Sequence, residues 1–272
     1  MPSRPPSPTR RVNSGRSGHR YYLDGSPVEG VTTIINGGVP KPALVGWAAR
    51  EVAERVIARR KILTELNDDE IMNILRNVPW EERDKAAVRG TEVHAYAARL
   101  ARGETVDVPE LLVGYVDAYR SWWEAWHPSE PVIVEATVIN RQYRYMGTLD
   151  WLGAIPELGL TLLDVKTGKS GVFAETALQL AAYGNAETLV VGDEERPMPG
   201  PIDTYAALWL TPDSWVFYPM DVGEAEFRAF LYAGGIHRWV KRRAGDKATD
   251  PVKGEELSLP GRVLQLVKGG VR

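Results

Sequence analysis

The sequence predicts a mixed α/β (α+β) protein, with a central mixed sheet flanked by helices and a helical subdomain toward the N-terminus. Three observations predict it. Apolar residues recur at helical spacing through most of residues 42–126. Beyond Pro128 the pattern changes to the two-residue alternation of strands. The chain has 272 residues, 44% of them hydrophobic and 25% charged, which is the composition of a globular protein long enough to bury a core without staples.

The elements follow in order. The first twenty residues are rich in Pro, Ser and Gly and carry Arg4, Arg10, Arg11, Arg16 and Arg20 without one acid. Such a segment buries too little apolar surface to offset its ordering entropy, so residues 1–20 are expected to be a disordered basic arm. It reads either as a solvated terminus or as an arm that touches phosphates. Tyr21–Leu23, the turn at Asp24-Gly25 and Val31–Ile35 read as strand, turn, strand. A helix is expected over 42–61 from Leu44, Trp47, Ala48, Val52, Val56 and Ile57, followed by helices over 68–78 and 80–101. Another covers 109–126, where Tyr115, Tyr119, Trp122 and Trp126 form a stripe. A stripe of that kind can stack bases, but it reads here as a helix face packed on a core.

Three strands are then expected over 132–139, 143–153 and 160–166, with turns short enough to make an antiparallel meander. A helix over 174–187 follows. Strands over 204–210 and 215–219 are joined by the turn-rich Thr211-Pro212-Asp213-Ser214, and a last helix spans 223–243. The expected organisation is a hairpin and helical region over 21–128, a core over 129–245 and a weakly specified tail over 246–272.

Composition excludes several chemistries. There is no cysteine, so disulfides, iron–sulfur clusters, Cys-ligated zinc and thiol nucleophiles are ruled out. The net charge of −3 announces no global positive field, although carboxylates gathered at a metal site would contribute to that sum. No apolar run approaches the ~18 residues needed to span a bilayer, and the N-terminal segment has no apolar signal core. No membrane association and a cytoplasmic location are expected. Thr167-Gly168-Lys169-Ser170 resembles the end of a phosphate-binding loop, but Leu163 stands where its earlier glycine belongs, so no nucleotide is expected there.

The chemistry concentrates in Leu162-Leu163-Asp164-Val165-Lys166. On a strand, Asp164 and Lys166 share one face while Leu163 and Val165 take the other, and the paired Cα atoms lie roughly 6.5–7 Å apart. A carboxylate and an ammonium leaving an apolar strand together are costly unless something uses them. The preceding strand carries Gly147-Thr148-Leu149-Asp150-Trp151-Leu152. Alternation puts Thr148, Asp150 and Leu152 together, and the meander brings Asp150 across from or beside Asp164. Two carboxylates so placed repel, and a divalent cation relieves the penalty. Oxygen donors favour Mg²⁺ or Mn²⁺, with the Val165 carbonyl as a further ligand. Lys166 can then orient a nucleophile or neutralise developing charge in phosphodiester hydrolysis. His94, in Gly90-Thr91-Glu92-Val93-His94, offers an imidazole ligand. Gln179 and Tyr183 sit one helical turn apart, able to donate to phosphate or to a carboxylate. Lys41, Arg50, Arg59 and Arg60 either line a nucleic-acid channel or are solvated helix faces.

Taken together, Gly-Thr-x-x-His (90–94), Gly-Thr-Leu-Asp (147–150), Asp-x-Lys (164–166) and Gln-x-x-x-Tyr (179–183) resemble the RecB-like branch of the PD-(D/E)XK nuclease superfamily. That branch includes phage recombination exonucleases and the Cas4 proteins. The resemblance covers about residues 90–187. It implies a restriction-endonuclease-like core over 129–245 and Mg²⁺- or Mn²⁺-dependent hydrolysis of DNA. The activity implied is first that of an exonuclease in recombination or repair, possibly phage-encoded and working with a recombination partner protein. A flap- or branch-selective endonuclease and a non-catalytic DNA-binding protein of the same fold are the alternatives. Carried over by position, His94, Asp150 and Asp164 would be metal ligands, with the Val165 carbonyl beside them, and Lys166 the catalytic lysine. Gln179 and Tyr183 would close the site over DNA, and Glu135 matches an acidic position that would support the ligands or a second metal. The family more often has Glu where Asp164 stands. The Cas4 iron–sulfur cysteines are missing.

Overall fold

The computed structural model describes residues 10–13, 19–192, 194–244, 258–259 and 262–263. An N-terminal antiparallel meander comes first: β1 (Arg10–Asn13), β2 (His19–Leu23) and β3 (Ser26–Gly30). Order thus reaches into the stretch expected to be disordered, because β1 finds a partner in β2. The rest of the expected arm, residues 1–9 and 14–18, lies outside the described residues, as does most of the expected tail. Of that tail only the short antiparallel pair β11 (Ser258–Leu259) and β12 (Arg262–Val263) is described.

Val31–Ile35 is not a strand. It begins α1 (Val31–Gly38), whose Val31, Ile34, Ile35 and Gly38 are all buried. That spacing of three, four and seven is one helix face, and burial of that face overrides the β-branched composition that suggested a strand. Three helices then form an arm: α2 (Ala43–Ala58), α3 (Arg60–Leu63) and α4 (Asp68–Ala101). The two helices expected over 68–78 and 80–101 are one, running through Pro79. It starts on a capping box, with Asn67 Oδ1 accepting from the Glu70 amide and Glu70 Oε2 from the Asn67 amide, both at 3.0 Å. Just beyond the proline, Arg55 of α2 reaches Glu81 at 3.2 Å and Glu82 at 3.0 Å. These contacts hold the helix in line where the ring removes a backbone hydrogen bond.

The sheet proper comprises β4 (Ser129–Asn140), β5 (Tyr145–Ile155), β6 (Gly159–Lys166), β7 (Thr188–Val191), β8 (Glu194–Pro197), β9 (Thr204–Leu210) and β10 (Trp215–Met220). The expected antiparallel meander of β4, β5 and β6 is present. β7 and β8, absent from the sequence reading, extend it beyond β4. β6 pairs in parallel with β9, the two being joined through α6 (Glu175–Gly184) and the β7–β8 hairpin. Together with the N-terminal meander these strands form one mixed sheet of ten.

Helices cover both faces. On one, α1, α6 and α7 (Glu224–Arg243) bury Val31, Ile34, Leu180, Phe230 and Ala233 against Tyr145, Leu149, Leu152 and Leu162. On the other, α4 and α5 (Val113–Trp126) bury Val93, Tyr119 and Trp122 against Trp151, Leu163, Val165 and Leu208. The aromatic stripe of α5 is core: Tyr115, Tyr119 and Trp122 are buried, and Trp126 stacks on Phe217 with ring centroids 4.7 Å apart. Among the described residues no helix is long and apolar enough to cross a membrane.

Two glycines give a test of this packing. A Cβ on Gly38 would lie 2.1 Å from the Ala233 carbonyl oxygen, where α1 crosses α7, and the obstacle is backbone that cannot rotate away. Gly38→Ala should cost about 1–3 kcal/mol in urea denaturation. Gly46, inside α2, has open space around it, so Gly46→Ala should be neutral or stabilise by up to about 1 kcal/mol.

Candidate functional site

The site arises where the sheet changes partners. Along one edge of β5, Tyr145 and Met146 pair with Glu29 and Gly30 of β3. On the same edge, Trp151–Ile155 pair with Leu163–Gly159 of β6. Between them, residues 147–150 belong to neither ladder. Extending the β6 register by one position would place Asp150 opposite Asp164. Instead Asp150 Oδ2 accepts the Val165 amide at 2.7 Å, so a carboxylate takes the place of a strand carbonyl.

Alternation along both β4 and β5 reverses at this point. Leu149 and Leu152, three apart, pack in the same layer, and Trp151 packs in the other. On β4, Ala136 and Ile133 share a layer in the same way, with Val134 opposite. Register makes Glu135 the partner position of Asp150, and Glu135 sits at φ +54°, a left-handed conformation that costs a non-glycine residue on the order of 1–3 kcal/mol. The expectation that Thr148, Asp150 and Leu152 face together therefore holds for the first two only. Leu152 enters the core on the far side of the reversal.

Two helices bring the remaining groups. α4 carries His94, whose Nδ1 is 3.2 Å from Asp150 Oδ1 and 4.0 Å from Glu135 Oε1. Gly90, one turn earlier, lets α4 approach the loop after β6: a Cβ there would meet Thr167 Oγ1 at 3.3 Å. On the other face Asp164, almost wholly buried, is held by Lys166 Nζ at 2.6 Å and by Gln179 Nε2 of α6 at 2.6 Å. Gln179 Oε1 accepts from Lys166 Nζ at 3.2 Å, and its Nε2 also donates to Tyr183 Oη at 3.1 Å. Gly147 leaves room for the Tyr183 ring, which a Cβ would meet at 2.5 Å.

All eight residues singled out in the sequence, His94, Glu135, Asp150, Asp164, Val165, Lys166, Gln179 and Tyr183, line one cleft of about 680 Å³. The tightest cluster of cation donors differs from the expected ligand set. One donor atom each from His94, Glu135 and Asp150 lie within 4.8 Å of one another and could hold a metal ion, while Asp164 is engaged by Lys166 and Gln179. The cleft also contains Tyr21, Arg99 and Arg102, to which the sequence reading gives no role at the site, and Arg11, which it reads only as part of a basic arm that is solvated or touches phosphates. Nothing local marks Arg11 or Tyr21, because the pairing of β3 with β5 brings the N-terminal strands here, while Arg99 and Arg102 come from the last turn and C-cap of α4. Lys41 bonds Asn36 at 2.7 Å and Glu175 at 3.6 Å. Arg50, Arg59 and Arg60 are exposed on the arm and do not line the cleft.

The electrostatics are those of crowded acids balanced by His94, Lys166, Arg11 and Arg102. Burial and the Asp150 charge raise the Glu135 pKa against the opposing pull of His94 and Arg11. Burial, with Asp150 beside it, raises Asp164 to about 6 despite Lys166. Asp150 is lowered: burial opposes its charge, but His94 and Lys166 overcome it. Lys166 is raised, since Asp164 and Asp150 outweigh its burial. His94 is pushed up to about 9 because Asp150, Asp164 and Glu135 together exceed the cost of burying its charge. Imidazole nitrogen, carboxylate oxygens and a surplus of negative charge at one point are donor chemistry that suits a divalent cation.

No family model matches the chain, and no curated protein matches it. Among solved structures that overlap it, one titled "Crystal structure of SSO0001" is 14% identical, covering 57% of this chain and 70% of that one at a TM-score of 0.30. An overlap at that TM-score supports no assignment of fold or activity.

The His94 shift has a definite sign. Its folded pKa of about 9 lies above the ordinary 6.5, so its contribution to stability is complete below about pH 6.5 and is lost as pH rises through about 9. Thermal melts of cation-free protein should show Tm falling across that interval, and His94→Gln should flatten the fall. A cation that takes the imidazole must displace its proton. The rise in Tm on adding Mg²⁺ should therefore be larger at about pH 9 than at about pH 6.5.

Proposed function

We propose that this chain is a metal-dependent deoxyribonuclease of the PD-(D/E)XK superfamily, RecB-like branch, with its restriction-endonuclease-like core in residues 129–245. The observation that carries the reading is the meeting of Asp150, Asp164 and Lys166, from two adjacent strands, in the cleft that also receives His94 from α4 and Gln179 from α6. The four short motifs that suggested the family are separated by up to about ninety residues, and their functional side chains converge.

His94, Glu135 and Asp150 would hold Mg²⁺ or Mn²⁺, with Asp164 and the Val165 carbonyl on the β6 side of the same slot. The cation supplies Lewis-acid stabilisation of a phosphoryl group and makes an attacking water easier to deprotonate. Asp150 is fixed by the Val165 amide through Oδ2, so Oδ1, which faces His94, keeps one direction. Gln179 fixes the rotamers of Asp164 and Lys166 at once, donating to one and accepting from the other. Lys166 stays protonated, so its Nζ acts as a charge facing the phosphate oxygens rather than as a base. Its stabilisation grows as negative charge develops on those oxygens in the transition state. Tyr183 keeps its phenolic proton, burial and the neighbouring carboxylates raising its pKa, and serves as a hydrogen-bonding wall of the cleft.

Hydrolysis of end-labelled single- and double-stranded DNA, followed over time with and without Mn²⁺, tests the reading directly. Release of nucleotides from ends with a circular substrate left intact is the expected result, in keeping with an exonuclease of recombination or repair. Lys166→Ala should lower cleavage about a hundredfold or more and keep the Mg²⁺-induced rise in Tm. Asp150→Ala should lose both. Parental cleavage by both variants, or no cation-dependent cleavage of any DNA by the parent, would refute the assignment.

A further inference from the structure

Arg11 enters the cleft from β1, the strand most distant in sequence from the residues it meets. Its Nη1 donates to Thr148 Oγ1 at 3.1 Å and lies 3.8 Å from Glu135 Oε2. Tyr21 Oη shares Thr148 Oγ1 at 3.0 Å, which ties β2 to the same point. The guanidinium thus stands beside one member of the His94–Glu135–Asp150 cluster, in the cleft that also holds Lys166. Its side chain retains 26% of its accessibility, so it borders open space.

We infer that Arg11 is a phosphate-anchoring residue that also stands in for the cation at Glu135 until one binds. The inference rests on the nuclease reading and adds a substrate-contacting residue to it. In the cation-free chain Arg11 offsets part of the Glu135 charge. When a divalent ion takes Glu135, the guanidinium is left beside a second positive charge, and that arrangement favours an anion lying between or against both. A phosphodiester on the cation is such an anion, and the planar fork of arginine matches two phosphate oxygens better than a lysine would. Arg11 and Lys166, which line the same cleft, would then both face the phosphate. One consequence is coupling between ligands: the cation competes with Arg11, whereas cation and phosphate together recruit it.

Two binding measurements test this without relying on catalysis. Titration of Mg²⁺ into the free protein should show Arg11→Gln binding the ion at least about twofold more tightly than the parent, because a competing positive charge is gone. Titration of inorganic phosphate into the Mg²⁺-saturated protein should show Arg11→Gln binding it about tenfold more weakly, with Arg11→Lys recovering part of the loss. Thr148→Ala removes a neighbour of the guanidinium while keeping its charge, and should weaken phosphate by less than Arg11→Gln does. Circular dichroism of each variant reports whether the fold is intact. Phosphate affinity at the parental level in folded Arg11→Gln, or looser Mg²⁺ binding by that variant, overturns the inference. A parent that binds Mg²⁺ and phosphate but cuts no DNA counts against the nuclease reading and leaves the Arg11 result to be judged on its own.

Discussion

The hydrogen bond from the Val165 amide to Asp150 Oδ2 is the contact on which the architecture of the cleft turns. A buried amide needs an acceptor. Had β5 supplied a carbonyl, the two strands would have stayed laddered and Asp150 would have faced Asp164 across a closed pair. Because the acceptor is a side chain, the strands part. The slot they leave is where the cation donors, the lysine and the glutamine collect. The same bond satisfies one carboxylate oxygen and aims the other, so a single interaction both opens the sheet and orients a ligand.

Electrostatic cost explains the company these residues keep. Glu135, Asp150 and Asp164 share one cleft, and each raises the price of ionising the others. His94, Lys166 and Arg11 meet that cost in the cation-free chain, one from each of three separate elements. The positive φ of Glu135 adds backbone strain at the same point. Strain and charge crowding at one place are what a fold selected for stability alone would discard.

Much of this was legible beforehand because it follows from periodicity. Alternation along 162–166 correctly puts Asp164 and Lys166 on the layer of α6, and helical spacing correctly pairs Gln179 with Tyr183. The stripe of α5 reads as core and is core. What escaped was set by contacts distant in sequence. Val31–Ile35 is β-branched and was read as a strand, but burial against α7 makes it a helix. Leu152 was assigned to the face of Asp150, because no residue type announces that alternation will reverse there. Glu135 reads as a group that supports the ligands or a second metal, and the structure puts it among the donors, beside His94 and Asp150. Arg11 looked like one basic residue in a basic tail. Its position depends on a parallel pairing of only two residues, Glu29 and Gly30 with Tyr145 and Met146, which leaves no local trace in the sequence.

That short pairing has a further bearing on how the molecule comes to exist. Walls of the cleft are drawn from residues as far apart in sequence as Arg11 and Tyr183, and β6, which carries Asp164 and Lys166, is flanked on its outer side by β9 at 204–210. During synthesis on the ribosome the N-terminal strands emerge well before their neighbours, and long-range pairings of this kind form late. A nascent chain that has not yet released Leu210 lacks the strand that flanks β6, so Asp164 and Lys166 wait for β9 before their wall of the cleft is secured.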